Sequence, residues 1–420
     1  MIRPGMVALV VRLSGMVAWA AIGAVTARFL SVSERGEYAA AALGVTALGM
    51  AGGSLGSAAG HYVARRNEPR GAVARTAAAL GLAVGIALAI VAAAVVAVTA
   101  GTVLAILVAL AVVPAVLRTA LAALLLAEGR AVAYALTGYV TAYVGLALLA
   151  LWLADEGHRT PEQAMAMWAA AHYVSLAALL WWGRHWWRAD GDAAPGLAKR
   201  LGRFAAPSMG GSVVGFLNAR ADLFLVVAFA GAAEAGLYSA ATAGAEVLLA
   251  FTSSVPLVLY RRIAKANGTE AAQWTMHGAR RSVAIAVVGA MGTMVVAPLA
   301  ITIVFGDRYE PAANALRILA VAAALLAPQA VLSTYFDAHA GRPGVGFAVK
   351  GAMAATDIVL CAALIPAWGI TGAAFACLAA YGVGTLAYAV LFQRATGTPA
   401  LRLLRLTAPR AAAKVSHAKG

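Results

Sequence analysis

Charge is scarce in this sequence. Asp, Glu, Lys and Arg make up 12% of the 420 residues, while 63% are apolar. An average soluble domain is about 25% charged, so a water-covered globular domain is excluded. Cysteine is nearly absent as well: Cys361 and Cys377 are isolated, which excludes a disulfide framework and a thiolate metal cluster. Lysine is rare beside arginine, 5 against 27, a bias that with the abundant alanine suggests a GC-rich bacterial genome. Long polar loops are missing too. The longest stretch on the side opposite the basic loops is about 155–163, which leaves no room for the outer domain of a membrane glycosyltransferase or ligase.

What the chain has instead is apolar runs. A spanning helix needs about 20 mainly apolar residues. Twelve runs meet that measure: 6–30, 38–63, 76–98, 102–127, 131–154, 164–183, 205–231, 235–260, 282–305, 312–336, 345–366 and 369–392. Arg12 interrupts the first, which is also too long for a secretory leader, so it reads as a retained span.

Basic residues sort cleanly between alternate loops. With the N-terminus placed in the cytoplasm, 24 of the 32 Lys and Arg fall on one side and 4 on the other, the latter being Arg28, Arg35, Arg159 and Arg308. The positive-inside rule puts the richer side, and both termini, in the cytoplasm. The net charge of +15 is thereby accounted for without nucleic acid. A basic tail over 393–420 can lean on anionic lipid headgroups.

The runs also repeat. Glu34-Arg35-Gly36-Glu37-Tyr38 returns 200 positions later as Glu234-Ala235-Gly236-Leu237-Tyr238, each between two apolar runs. Gly129-Arg130 returns as Gly341-Arg342 at a spacing of 212. Two copies of a unit of this size predict an all-α membrane protein of twelve helices in two six-helix lobes that can rock against each other. The expected parts are an N-lobe over 1–183, a cytoplasmic linker over 184–204, a C-lobe over 205–392 and the tail.

Smaller signals fill in the picture. Gly52, Gly56 and Gly60 line one face of the second span and invite close packing. Pro114, Pro256, Pro298 and Pro328 fall within apolar runs and can kink them. The segment Trp181-Trp182-Gly183-Arg184-His185-Trp186-Trp187-Arg188 reads as an aromatic belt at the end of the sixth span.

Ionisable groups inside spans are expensive and so mark chemistry. They are Arg12, Arg118, Arg220, Asp222, Glu246, Arg317 and Asp357, with His172 as a neutral candidate. At about 1.5 Å per residue, Arg12 and Arg118 lie in the cytoplasmic half, Glu246 and Asp357 near the middle, and Arg220 with Asp222 nearer the outside. Arg12, Arg118 and Arg220 form a cationic route that suits an anionic headgroup such as a diphosphate, since guanidinium grips phosphate oxygens in a two-pronged way. Asp222 is expected to pair with another span. Glu246 and Asp357 can couple transport to protons or sodium, and equally can neutralise the arginines. Arg317 is close enough to the outer end to snorkel, and His172 reads as packing. No cofactor or metal is expected beyond such ion coupling.

Three stretches resemble a known family. Phe204-Ala-Ala-Pro207 through Asn218-Ala-Arg220-Ala-Asp222-Leu-Phe-Leu is similar to the seventh helix of the polysaccharide-export flippases of the MOP superfamily. Gly231-Ala-Ala-Glu234-Ala-Gly236-Leu-Tyr238-Ser-Ala-Ala resembles their outer turn into helix 8, and Leu364-Ile-Pro366-Ala-Trp-Gly369-Ile-Thr-Gly372-Ala-Ala-Phe-Ala their turn between helices 11 and 12. The resemblance covers roughly residues 5–395. It implies two lobes around a central cavity and alternating access. The implied cargo is an oligosaccharide on a polyprenyl diphosphate, moved to the outer leaflet of a bacterial cytoplasmic membrane. It also implies glycosyltransferases and a polysaccharide polymerase as partners. By position Asp222 matches the family's helix-7 Asp and Arg12 its basic residue in helix 1, whereas Asp357 stands where relatives show a neutral polar residue.

The alternative is a multidrug or small-molecule cation antiporter of the same superfamily. A cation-exporting cavity should be acidic, and four arginines against three acids inside these spans speak against it.

Overall fold

Small side chains decide how these helices pack. The computed structural model describes residues 4–66, 68–154, 159–188, 194–252 and 266–399, with 255, 259, 262 and 263. Among the described residues no strand occurs. Six long helices come first: α1 (Pro4–Phe29), α2 (Val32–Arg66), α3 (Arg70–Ala100), α4 (Thr102–Ala127), α5 (Ala131–Ala154) and α6 (Pro161–Trp182). The short α7 (Arg184–Arg188) and α8 (Leu197–Thr252) follow. Then come α9 (Gly268–Phe305), α10 (Ala312–Leu326), α11 (Gln329–Thr334), which runs into a π-helical turn over Tyr335–His339, and α12 (Pro343–Thr396).

Two helices are too long for one crossing. The 54 residues of α12 would span about 80 Å as one rod, over twice the ~30 Å of a hydrocarbon core. Its backbone breaks at Gly369 (φ 51°, ψ −135°), and the 56-residue α8 breaks at Gly231 (φ 88°, ψ 175°). Each broken helix takes in two of the twelve expected runs. Among the described residues, nine helical stretches are long and apolar enough to cross a membrane. Their outward faces are apolar: Leu82, Ile86 and Ile90 succeed one another along α3, and Val288, Met291, Val295 and Leu299 along α9, all exposed. Contiguous apolar stripes of this kind face lipid, not water. The chain is an all-α, multi-pass membrane protein.

The turns repeat as the sequence motifs do. Gly101 and Gly306 share one backbone conformation (φ 94°, ψ 162° and φ 99°, ψ 165°). Gly129 and Gly341 both sit at positive φ, and the Arg that follows each sends its N–H back to a carbonyl of the preceding turn, Arg130 to Leu125 at 2.9 Å and Arg342 to Phe336 at 2.8 Å.

The chain forms two compact units. The first comprises residues up to Ala243, with Pro298–Ala313 and Leu360–Ala373. Here the Gly52, Gly56 and Gly60 face receives α4: a β-carbon at Gly56 would lie 2.5 Å from the Thr119 carbonyl, and one at Gly60 3.4 Å from that of Ala123. Thr119 Oγ1 donates to the Gly49 carbonyl at 2.6 Å in the same seam. The second unit comprises Gly244–Ala297, Asn314–Val359 and residues from Ala374. Its core gathers Leu259, Ile263, Met276, Val331, Phe336 and Phe392.

Two expectations need correction. Trp186 is not an interfacial anchor. It is 1% exposed, packed with Leu197 and Leu201, and its indole donates to Glu128 Oε1 at 2.8 Å. Trp181, 65% exposed and stacked under Arg184 at 4.7 Å, keeps the belt role. The helix expected from 205 begins at Leu197, because Leu197, Leu201 and Ala205 recur every four residues and bury one face in the first unit. The basic tail beyond 399 and Pro256 lie outside the described residues.

Candidate functional site

The intramembrane charges fall into different surroundings. Arg12 lies on α1, and its side chain is outside the described residues. Arg118, half-buried on α4, donates from Nη1 to the Thr137 carbonyl of α5 at 3.1 Å. Arg220 is half-buried on α8 and is not without a partner. Two positions on, Asp222 is 7% exposed. Its Oδ1 accepts the Leu223 N–H at 2.8 Å, and its Oδ2 accepts the Tyr238 hydroxyl at 2.6 Å. These residues belong to the first unit, as does buried His172.

Glu246, exposed, and Asp357, 5% exposed, belong to the second unit. Arg317 belongs there too and turns onto α9, donating from Nε to the Met294 carbonyl at 3.1 Å and from Nη1 to Asn314 Oδ1 at 3.0 Å. The structure thus brings Asp222 to Tyr238 and sets Arg118 beside His172. It divides the remaining candidates between the two units.

A second cluster was not singled out from the sequence. At the end of the first unit expected to face outward, four turns meet: the α1–α2 turn, the Gly231 break, the turn after Phe305 and the Gly369 break. The repeated motif forms its centre. A β-carbon on Gly36 would overlap the Ala232 carbonyl, and one on Gly236 would overlap the Val32 carbonyl. Both contacts pair positions offset by the same 200 residues, so the two copies embrace each other reciprocally. Only glycine allows backbones this close.

Local chemistry explains how each copy reaches that position. Ser31 and Glu34 form a reciprocal cap at the start of α2: the Ser31 N–H donates to Glu34 Oε2 at 2.8 Å and the Glu34 N–H to Ser31 Oγ at 3.3 Å. The equivalent of Ser31 is Gly231, which has no side chain to cap with. Glu234 instead reaches across to the break in α12 and accepts the Ile370 N–H at 3.3 Å. The same motif caps its own helix in one copy and a different helix in the other.

Arginines lock the junction. Arg35 is 5% exposed; its Nη1 donates to the Gly23 carbonyl at 2.5 Å and to Thr26 Oγ1 at 2.9 Å. Its guanidinium lies over the Phe305 and Tyr309 rings, 5.2 and 5.7 Å from their centroids. Burial pushes the Tyr309 phenol up from its ordinary range, against the pull of Arg35 and Arg308, so the ring meets Arg35 as a neutral π-face. Arg28, in the last turn of α1, donates to the Ile303 and Val304 carbonyls that end α9, and Arg308 donates to the Arg28 carbonyl at 3.1 Å. The end of α9 is therefore capped by a cation of α1, and the end of α1 by one from the turn after α9, as helix dipoles favour. Arg159 stacks over Phe29 at 4.6 Å.

These four arginines are the four that stood against the charge rule in the loop count. That exception was the signal in the sequence. Cations on the side the rule leaves poor in them have to be held by something, and here it is helix ends and aromatic faces.

The comparisons bear on the whole chain. Residues 25–314, well over half of it, match a family model described as "Polysaccharide biosynthesis protein". Among solved structures the chain is similar to "Lipid II flippase MurJ, inward closed conformation", with 11% identity and a TM-score of 0.79 over 95% of this chain and 89% of that one. It is similar to an inward-facing multidrug resistance MATE family transporter of the MOP superfamily, with 15% identity and a TM-score of 0.71 over 93% and 99%. A third match is a MOP superfamily transporter from Pyrococcus furiosus described as having a binding pocket of reverse polarity, with 14% identity and a TM-score of 0.62 over 96% of this chain and 95% of that one. No curated protein sequence matches. At these identities the structures establish the fold, which is that of MOP-superfamily transporters.

Proposed function

Because this chain belongs to the polysaccharide biosynthesis protein family, we propose that it is a flippase. It carries an oligosaccharide on a polyprenyl diphosphate from the inner to the outer leaflet of a bacterial cytoplasmic membrane by alternating access. The observation that carries this reading is the four-turn junction. A carrier has to seal one side while it loads from the other, and here the seal is made by the repeat itself, Gly36 against Ala232 and Gly236 against Val32. With both termini in the cytoplasm, the junction closes the outer side.

The working cycle follows from the charges. The diphosphate head enters from the inner side and meets Arg12 and Arg118, while the lipid tail stays in the bilayer. Opening of the junction then exposes the head outward, near Arg220. Two-pronged guanidinium contacts suit the phosphate oxygens. Asp222, held by Tyr238, steadies the break at Gly231. Glu246 and Asp357 supply coupling to protons or sodium, or neutralise the arginines. The substrate has to favour the open junction over the closed one, because a ligand shifts an equilibrium only by its difference in affinity. Full switching takes about 5.5 kcal/mol, which is the scale of two or three charged hydrogen bonds of about 1.5–3 kcal/mol each. Glycosyltransferases supply the cargo, and a polymerase consumes it.

Deletion of the gene tests the reading, with lipid-linked oligosaccharide quantified by leaflet. The expected result is accumulation on the cytoplasmic side, reversed by the intact gene. Normal lipid-linked glycans together with a new sensitivity to cationic drugs would overturn it in favour of the antiporter.

A further inference from the structure

One seam of the first unit carries several buried polar atoms that have no hydrogen-bond partner among the described residues. Thr137, Thr141 and Gly145 lie one turn apart on α5, and Ser175, His172 and Trp168 run antiparallel to them on α6. Ser175 Oγ donates to the Thr137 carbonyl at 3.3 Å. At the other end, a β-carbon on Gly145 would lie 3.9 Å from both Ala171 and Trp168. Thr141 therefore stands at the level of His172. From α4, Arg118 Nη1 donates to the same Thr137 carbonyl at 3.1 Å, and the Trp168 ring meets His172 edge-on at 5.2 Å. Thr141, Trp168 and His172 are 2%, 3% and 4% exposed.

Five buried polar atoms along this seam have no hydrogen-bond partner among the described residues: Arg118 Nε, Thr141 Oγ1, Trp168 Nε1 and both nitrogens of His172. Buried polar groups in native proteins are nearly always paired, so an unpaired group calls for an explanation and five in one seam point to a common one. The guanidinium Nε–H and the indole N–H can only donate, the hydroxyl can donate, and a neutral imidazole offers one N–H. Arg118 adds a full positive charge with no carboxylate in ion-pair reach among the described residues. Arg118 is half-buried, and water would satisfy the donors without neutralising its charge, whereas a small anion does both. One turn along, at Gly145, the helices are in ordinary van der Waals contact, Ile22 Cδ1 lying 3.4 Å from where a β-carbon would stand.

We propose that the seam between α4, α5 and α6 is a binding site for one small inorganic anion of the size of chloride. Arg118 supplies the charge, and Thr141, Trp168 and His172 supply single hydrogen bonds. The site shares Arg118 with the proposed diphosphate route but needs no lipid-linked cargo, so binding measured without glycan separates the two readings.

Equilibrium binding of radioactive chloride to the purified full-length protein, without lipid-linked glycan, tests it. The expected result is saturable binding of about one ion per chain, displaced by bromide and not by gluconate, since the seam admits one small ion. Arg118→Gln should weaken it about tenfold or more, the scale of one lost charge-assisted hydrogen bond. Thr141→Val, which keeps the shape, should weaken it several-fold and decides the matter if Arg118→Gln fails to fold. Chloride should also raise the unfolding temperature of the wild type relative to gluconate, and not that of Arg118→Gln. Absence of saturable binding to a cooperatively unfolding protein would overturn the proposal and leave the seam to water. Binding undiminished in Thr141→Val and Arg118→Gln would overturn it equally.

Discussion

Arg35 concentrates the chemistry of the junction in one side chain. It is buried, it holds the C-terminal end of α1 through Gly23 and Thr26, and it lies against the ring that ends α9, Phe305, and the Tyr309 ring just beyond. Arg35→Ala removes these contacts and leaves Thr26 Oγ1 without its donor, which should cost about 3 kcal/mol from the hydrogen bonds and the cation–π contacts together. Thermal unfolding in detergent checks this, and an unchanged midpoint would count against the structural role given to it. Arg35→Lys should recover only part of the loss, because an ammonium cannot bond two acceptors as a planar fork while lying flat on a ring. Residue roles were unevenly legible in the sequence. Asp222 stood out as a charge needing a partner, yet its partner Tyr238 was visible only as a letter in a repeat. Arg35 was counted as a loop charge, since nothing in the local sequence tells a buried arginine from a solvated one.

Among the helices, glycine placement separates contact from slack. Gly36 and Gly236 have no room for a methyl group, whereas Gly44, on the same helix as Gly36, has nothing within 4 Å of a β-carbon. Gly36→Ala and Gly236→Ala should each destabilise the protein by about 1–3 kcal/mol through overpacking. Gly44→Ala should be neutral, or stabilising by up to about 1 kcal/mol, because alanine is the better helix former. Denaturation midpoints of the three variants test the contrast, and equal effects at Gly36 and Gly44 would contradict the reciprocal packing. Helices were legible because apolar runs of spanning length have few other uses. The breaks at Gly231 and Gly369 were legible as motif turns, but not as backbone kinks inside helices that otherwise continue. Trp186 was misread because aromatic density near a span end has two meanings, and burial by the distant Leu197 and Leu201 settles which applies.

For the whole molecule, the repeat has a meaning beyond architecture. Its two copies were read as a sign of two lobes. In the structure they also touch, residue 36 to 232 and residue 236 to 32, so the symmetry of the sequence becomes the symmetry of a closure. Contact between the copies could not be read from the chain, because a spacing of 200 gives equivalence and not distance. The central claim is that this closure opens during transport. Ala235, in the second copy, is 0% exposed, so a thiol placed there is shielded while the closure holds. The decisive measurement is the labelling rate of Ala235→Cys by a membrane-impermeant maleimide in intact cells, with Cys361 and Cys377 replaced by alanine, while glycan synthesis is switched on and off. The account predicts slow labelling without cargo and faster labelling when lipid-linked glycan is supplied. Slow, unchanging labelling in cells that export glycan at the normal rate would contradict it.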